Sequence, residues 1–191
     1  MAGKQAKILS DAHISLLRRY CQRTRYPLRN LAMVLLSTKA GLRAGEIAKL
    51  TWEMVLTPTG AIAHTIELQD RIAKKKSGRS VPLHPELRAV LNKLSRAHPR
   101  TGPIIRSERG ERMRDLSVVI WFATTYRKLG LCGCSSHSGR RTFITRAAKL
   151  VYQAGGSLRD VQILAGHRSI QTTQRYIDGD SDAQRKLVSL L

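Results

Sequence analysis

The stretch Ile62-Ala63-His64-Thr65-Ile66-Glu67-Leu68, with Arg79-Ser80-Val81-Pro82-Leu83 close behind it, decides the fold class. Ile62, His64, Ile66 and Leu68 alternate with less apolar neighbours, which is the two-residue period of a strand. Lys76-Ser77-Gly78 predicts a turn, and Arg79 to Leu83 reads as the return strand. On both sides of this stretch the apolar residues recur at helical spacing. The chain is therefore expected to be mainly α with a small antiparallel β-sheet, an α+β fold.

Upstream, Ser10 can cap a helix carrying Ile14, Leu17 and Cys21 on one face and ending before Pro27. Leu28, Leu31, Ala32 and Leu35 mark a second helix that stops at Gly41. A short third covers Gly45 to Leu50, with Ile47 and Leu50 facing in. Downstream, Pro85 starts a helix bearing Leu87, Val90, Leu91 and Leu94. A basic loop from about His98 to Arg112 leads to a helix whose apolar positions are Leu116, Val119, Ile120 and Ala123, with Gly130 beyond its end. Ser136 to Val151 is expected to be helical, with Phe143, Ile144, Ala147 and Val151 apolar. Ser157 and Asp160 form a capping box for the next helix, and Ser169 and Ser181 cap the last two.

The chain has 191 residues, enough for one domain with a sizeable core, and a net charge of +21. A charge of that size repels itself in the compact state and points to a polyanionic partner. Of its 34 cations 23 are arginine, the side chain whose planar fork grips phosphate oxygens in pairs. A hydrophobic content of 42% excludes a wholly disordered basic tail. No apolar run approaches the length of a membrane span, and the N-terminus lacks a secretory core, so a cytoplasmic protein is expected. The three cysteines, Cys21, Cys132 and Cys134, are an odd count without zinc-ligand spacing and read as ordinary thiols.

Four polar clusters stand out: Gly41-Leu42-Arg43-Ala44-Gly45-Glu46, the Lys-rich turn 74–79, His137-Ser138-Gly139-Arg140, and Gly166-His167 with Tyr176 nine residues on. Taken singly, each has an ordinary structural reading. Together they supply two arginines, a lysine and two histidines around one tyrosine hydroxyl, without a carboxylate cage for a metal.

In order and spacing these clusters resemble the catalytic domain of the tyrosine recombinases, the phage-integrase family, from about Ser10 to Tyr176. The Gly-Leu-Arg-x-x-Glu segment matches Gly41 to Glu46. His-x-x-Arg matches His137 and Arg140, and Gly-His followed by the nucleophile matches Gly166, His167 and Tyr176. Counting back seven from Val81 of the Val-Pro-Leu strand gives Lys74, although Lys75 and Lys76 stay open for the same part.

The resemblance implies the DNA breaking-rejoining catalytic-domain fold and a site-specific recombinase acting through a 3′-phosphotyrosine. Tyr176 would attack phosphorus, Arg43 and Arg140 would neutralise the phosphate oxygens, and Lys74 would protonate the leaving 5′ oxygen. His137 would take the proton of Tyr176, His167 would donate to a phosphate oxygen, and Glu46 would hold a cation or a histidine in place. Lys75, Lys76, Arg79 and Arg141 are expected to contact DNA. No metal or other cofactor is implied. Implied partners are duplex DNA, further copies of the chain in a tetramer on the synapsed DNA, and accessory DNA-bending proteins.

The chain departs from the family pattern in its second box, where Gly139 replaces a leucine and loosens the helix. Ala165 replaces the leucine before Gly-His. The expected organisation is a tail over 1–9, a catalytic domain over 10–180, and a C-terminal helical segment over 181–191 that packs on a neighbouring protomer. Only about nine residues precede the first helix, which fits either a truncated protein or a single-domain member like the fimbrial-switch invertases. Two other functions share the fold: a non-catalytic DNA-binding regulator, and type IB topoisomerase-like relaxation.

Overall fold

The structure is a computed structural model that describes residues 6–70, 72, 78–97, 99–176 and 188–189. Helix α1 (Asp11–Gln22) starts where Ser10 Oγ accepts the His13 N–H at 3.2 Å, and it buries Ile14, Leu17 and Cys21 as its spacing requires. Helix α2 (Pro27–Lys39) is the central element, buried on several sides. It packs against α1, against α4 (Pro85–Ala97) and against α6 (Ser138–Leu150). Helix α3 (Ala44–Lys49) lies on α5 (Asp115–Lys128).

The sheet has two strands, β1 (Thr65–Leu68) and β2 (Arg79–Pro82), paired antiparallel with Ile66 opposite Val81 and Leu68 opposite Arg79. β1 is shorter than its alternation predicts. Ile62 instead bridges Leu56, and the Ala63 N–H donates to the Val55 carbonyl. Side chains alternate across a strand, so Arg79 shares the inward face of Val81 and is 8% exposed.

Helix α5 turns a different face inward from the one expected. It buries Val118, Phe122, Thr125 and Tyr126 and leaves Leu116 and Ile120 in solvent. Phe122 and Tyr126 stand one turn apart and stack at 5.8 Å, and two rings remove more apolar surface from water than the aliphatic side chains opposite. The loop after α4 is anchored to the core: Ile104 and Ile105 are buried, and the Ile104 N–H donates to the Leu50 carbonyl.

Gly139 has a reason that its helix propensity does not give. A Cβ there would lie 2.3 Å from Ser37 Oγ and 2.9 Å from Ser37 Cβ, so the missing side chain is what brings α6 onto α2.

Beyond the main core, α6 and α7 (Leu158–Ala165) form a small second one from Ile144, Ala148, Val151, Val161 and Ala165. The Asp160 carboxylate accepts from the Ser157 N–H at 2.8 Å, closing the expected capping box. A short α8 (Ile170–Gln174) follows, and Tyr176 packs against this second core. The two cores meet along α6, where the polar clusters converge. Among the described residues, no helix is long and apolar enough to cross a membrane.

Candidate active site

Arg140 lies on the first turn of α6 and is 4% exposed. Its Nη1 donates to the Gly41 carbonyl and its Nη2 to the Ala165 carbonyl, each at 2.6 Å, which pins the chain before α3 to the end of α7. Gly41 is required for this contact. Its φ is +64°, and a Cβ there would stand 2.3 Å from the Phe143 ring. Burial, then the charge of Arg43, lowers the Arg140 guanidinium to about 9, so it remains charged at neutral pH.

Glu46, 2% exposed, sits one turn into α3 and closes that helix start by accepting the Arg43 N–H at 2.9 Å. Its Oε1 also accepts from Arg43 Nη1 at 2.8 Å. The Arg79 fork reaches the same carboxylate from β2, Nη1 to Oε1 and Nη2 to Oε2, both at 3.1 Å. Burial works to raise the carboxyl pKa, but the hydrogen bonds and charges of Arg79 and Arg43 outweigh it and hold Glu46 at about 2. Arg79 was expected on the DNA-facing surface. Its guanidinium is instead enclosed between Glu46 and the Leu164 carbonyl, which accepts from Nε at 2.8 Å.

His167 follows Gly166, the left-handed residue that ends α7. Its Nε2 lies 3.1 Å from Arg140 Nη2 and its Nδ1 lies 3.0 Å from Thr173 Oγ1. A guanidinium only donates, so Nε2 accepts and the ring proton sits on Nδ1, directed at Thr173. Burial, with the charges of Arg140, Arg43 and Arg79, lowers the ring to about 4. In this arrangement His167 is therefore neutral and accepts from Arg140. Its ring stacks on Tyr176 at 5.7 Å between centroids and 22° between planes. Tyr176 is half-buried, held by its N–H to the Thr173 carbonyl, and close enough to Arg140 to raise that group's pKa.

His137 is exposed at the start of α6 and lines two adjoining clefts. One, of about 320 Å³, is shared with Tyr176, Thr172, Arg175, Arg141 and Ala6. The other, of about 360 Å³, is shared with Arg43, Glu46 and Lys49. Arg141 donates to the Ala6 carbonyl at 2.9 Å while bordering the tyrosine cleft. The structure thus brings Arg43, Glu46, Arg140, His167 and Tyr176 into one connected cluster, with His137 on the ridge between its two openings. Lys74, Lys75 and Lys76 lie outside the described residues. Sequence reading passed over Thr173, and it also passed over Gln162, whose Nε2 donates to the His167 carbonyl at 2.9 Å. Thr173 lies in the polar run before Tyr176, one turn from it, and that spacing was the available signal.

The sequence profile of the Phage integrase family matches residues 7–182, and the chain belongs to that family. It is 29% identical over 154 residues to the tyrosine recombinase XerC of Rickettsia typhi, covering 78% of this chain and 47% of that one. It is 30% identical over 171 residues to a tyrosine recombinase of Synechococcus elongatus, covering 81% and 52%. The chain thus spans about half the length of these curated relatives. The same fold occurs in the crystal structure of XerA recombinase, with a TM-score of 0.74 at 21% identity over 96% of this chain and 64% of that one. It occurs also in a lambda integrase dimer bound to a COC′ core site, with a TM-score of 0.70 at 19% identity over 94% and 50%.

Proposed function

We propose that the chain is the catalytic part of a site-specific DNA recombinase that cleaves and rejoins duplex DNA through a 3′-phosphotyrosine. The convergence of Arg43, Arg140, His167 and Tyr176 on one cluster carries this reading. The Tyr176 oxygen attacks a backbone phosphorus, the phosphorus–O5′ bond breaks, and the 3′ phosphate stays on the enzyme. Arg43 and Arg140 stabilise the negative charge that gathers on the non-bridging oxygens. His137, at the mouth of the tyrosine cleft, receives the phenolic proton, and Lys74 supplies one to the 5′ oxygen. Attack by a 5′ hydroxyl reverses the sequence and reseals the strand, with no net change in bond type and no added energy source.

The net charge of +21 supports duplex DNA as the substrate, held largely through its phosphates. On this reading, copies of the chain assemble as a tetramer across two DNA sites, with accessory DNA-bending proteins as further partners, and Lys75, Lys76 and Arg141 add backbone contacts. Covalent capture tests the proposal. A randomised duplex library is incubated with the protein, denatured, and searched for protein-linked DNA, with Tyr176→Phe as the blank. Adducts that vanish in the variant support the reading. DNA binding without adducts favours a regulator, and adducts with plasmid relaxation but no strand exchange between duplexes favour a topoisomerase.

A further inference from the structure

Arg79 belongs to the sheet, yet its side chain ends among the helices that carry the site. The Arg79 side chain is almost fully enclosed and meets the buried Glu46 through both terminal nitrogens. Its Nε holds the Leu164 carbonyl on α7, two residues before Gly166. Gly166 leaves room for it: a Cβ there would lie 2.9 Å from Arg79 Nη1. One buried side chain therefore ties β2, α3 and the end of α7 together.

The carboxylate of Glu46 is fully subscribed by two arginines. Oε1 accepts from Arg43 Nη1 and Arg79 Nη1, and Oε2 accepts from the Arg43 N–H and Arg79 Nη2. These four bonds match the four acceptor positions of an ionised carboxylate. Among the described residues, Arg43 Nη2 and Nε take no partner, and Arg43 faces the cleft that it shares with His137. Without Arg79, two buried acceptor positions would open beside one remaining arginine. The least costly remedy is for Arg43 to swing its fork onto Glu46, which turns it from the cleft.

We propose that Arg79 is a positioning residue of the active site, which by occupying half of the Glu46 carboxylate keeps Arg43 directed at the phosphate. The inference rests on the reading of the site as a phosphoryl-transfer centre. Arg79 acts through Glu46 and touches no substrate. Its removal therefore weakens cleavage and leaves DNA binding, which many other cations carry, nearly intact.

The test uses the full chain and a duplex recovered by the covalent capture described above. Single-turnover adduct formation and DNA affinity are measured separately for Arg79→Met, Arg79→Lys, Glu46→Gln and the Arg79→Met/Glu46→Gln pair, with thermal unfolding as the check on folding. The expected result for Arg79→Met is a loss of about 100-fold in cleavage rate, the scale of one misdirected transition-state donor. Affinity should stay within about threefold, because backbone contacts elsewhere carry it. The double variant should be no slower than the slower single one, since both changes break one linkage. Arg79→Lys keeps the charge but not the fork, should fold, and should fall between.

A 5′-bridging phosphorothiolate duplex, whose sulfur leaves without a proton, separates the roles further. The Arg79 defect should persist on it, because Arg43 acts on the non-bridging oxygens. Parental rates in both folded Arg79 variants, multiplying effects in the double variant, or rescue by the sulfur duplex would each overturn the proposal. If the parent itself forms no adduct, the recombinase reading fails first, which distinguishes the two.

Discussion

The Arg140 guanidinium reaches Nε2 of His167 at 3.1 Å, while Nδ1 of the same ring lies 3.0 Å from Thr173 Oγ1. This pairing fixes the histidine as a neutral acceptor on a buried cation. With the ring held at about 4, His167 should stay uncharged throughout the range from pH 5 to 8. Nitrogen-15 chemical shifts of the imidazole should report the Nδ1-protonated tautomer across that range. His167→Gln, which keeps an acceptor, should retain more cleavage activity than His167→Leu.

The same group sets part of the acid stability. An unfolded His167 takes up a proton near its ordinary value of 6.5, whereas the folded one resists until about 4. The unfolded state therefore binds more protons between these values, and stability falls as pH drops from about 6.5 towards 4. Glu46 adds a second window. Its carboxyl is held at about 2 against an ordinary 4.5, so its stabilising effect is present above 4.5 and is lost as pH falls towards 2. Denaturant unfolding at stepped pH should show both slopes, and His167→Gln should flatten the upper one, to which the lowered His84 also adds, while leaving the lower one in place.

Restoring the family's usual leucine at Gly139 should harm this protein. A side chain there meets Ser37 at 2.3 Å, so Gly139→Leu should cost about 2 kcal/mol or more by overpacking, despite better helix propensity. Gly41→Ala combines a left-handed φ of +64° with a clash on Phe143, and it should cost about 2 kcal/mol or more. Because Gly41 also presents the carbonyl that holds Arg140, its variant should lose cleavage activity out of proportion to the fraction unfolded. Thermal melts beside adduct yields would check both.

The inverted face of α5 gives a simple contrast. Ile120 is 54% exposed and Phe122 is 1% exposed. Ile120→Ser should change stability by no more than about 0.5 kcal/mol. Phe122→Ala should cost about 3 kcal/mol or more, through the cavity and the lost stack on Tyr126. Chemical denaturation of the two variants decides.

These cases mark how far the sequence could be read. Helical spacing located α1 and α4 with their buried residues, because each carries a single apolar stripe and nothing competes with it. On α5 two stripes coexist, and only the packing against α3 selects the aromatic one. The residues of the site were legible as motifs, since Gly41, Arg43 and Glu46 share one short segment, His137 and Arg140 a second, and Gly166, His167 and Tyr176 a third. Their linkages were not. Which cation Glu46 would hold depends on β2 arriving beside α3, and no spacing along the chain encodes that approach. Arg79 was misread as a surface cation, although the alternation that places Val81 inward places Arg79 inward too. The charge of the side chain outweighed its position in the strand, and the partner that makes burial tolerable lies 33 residues away in sequence.

On the proposed mechanism the phenolic oxygen of Tyr176 is the atom that bonds to DNA. Mass spectrometry of a protease digest of captured adducts tests it most directly. Nucleotide mass is expected on the peptide containing Tyr176, joined through a 3′ phosphate, with a free 5′ hydroxyl on the released strand. Linkage at another residue, or through a 5′ phosphate, would contradict it.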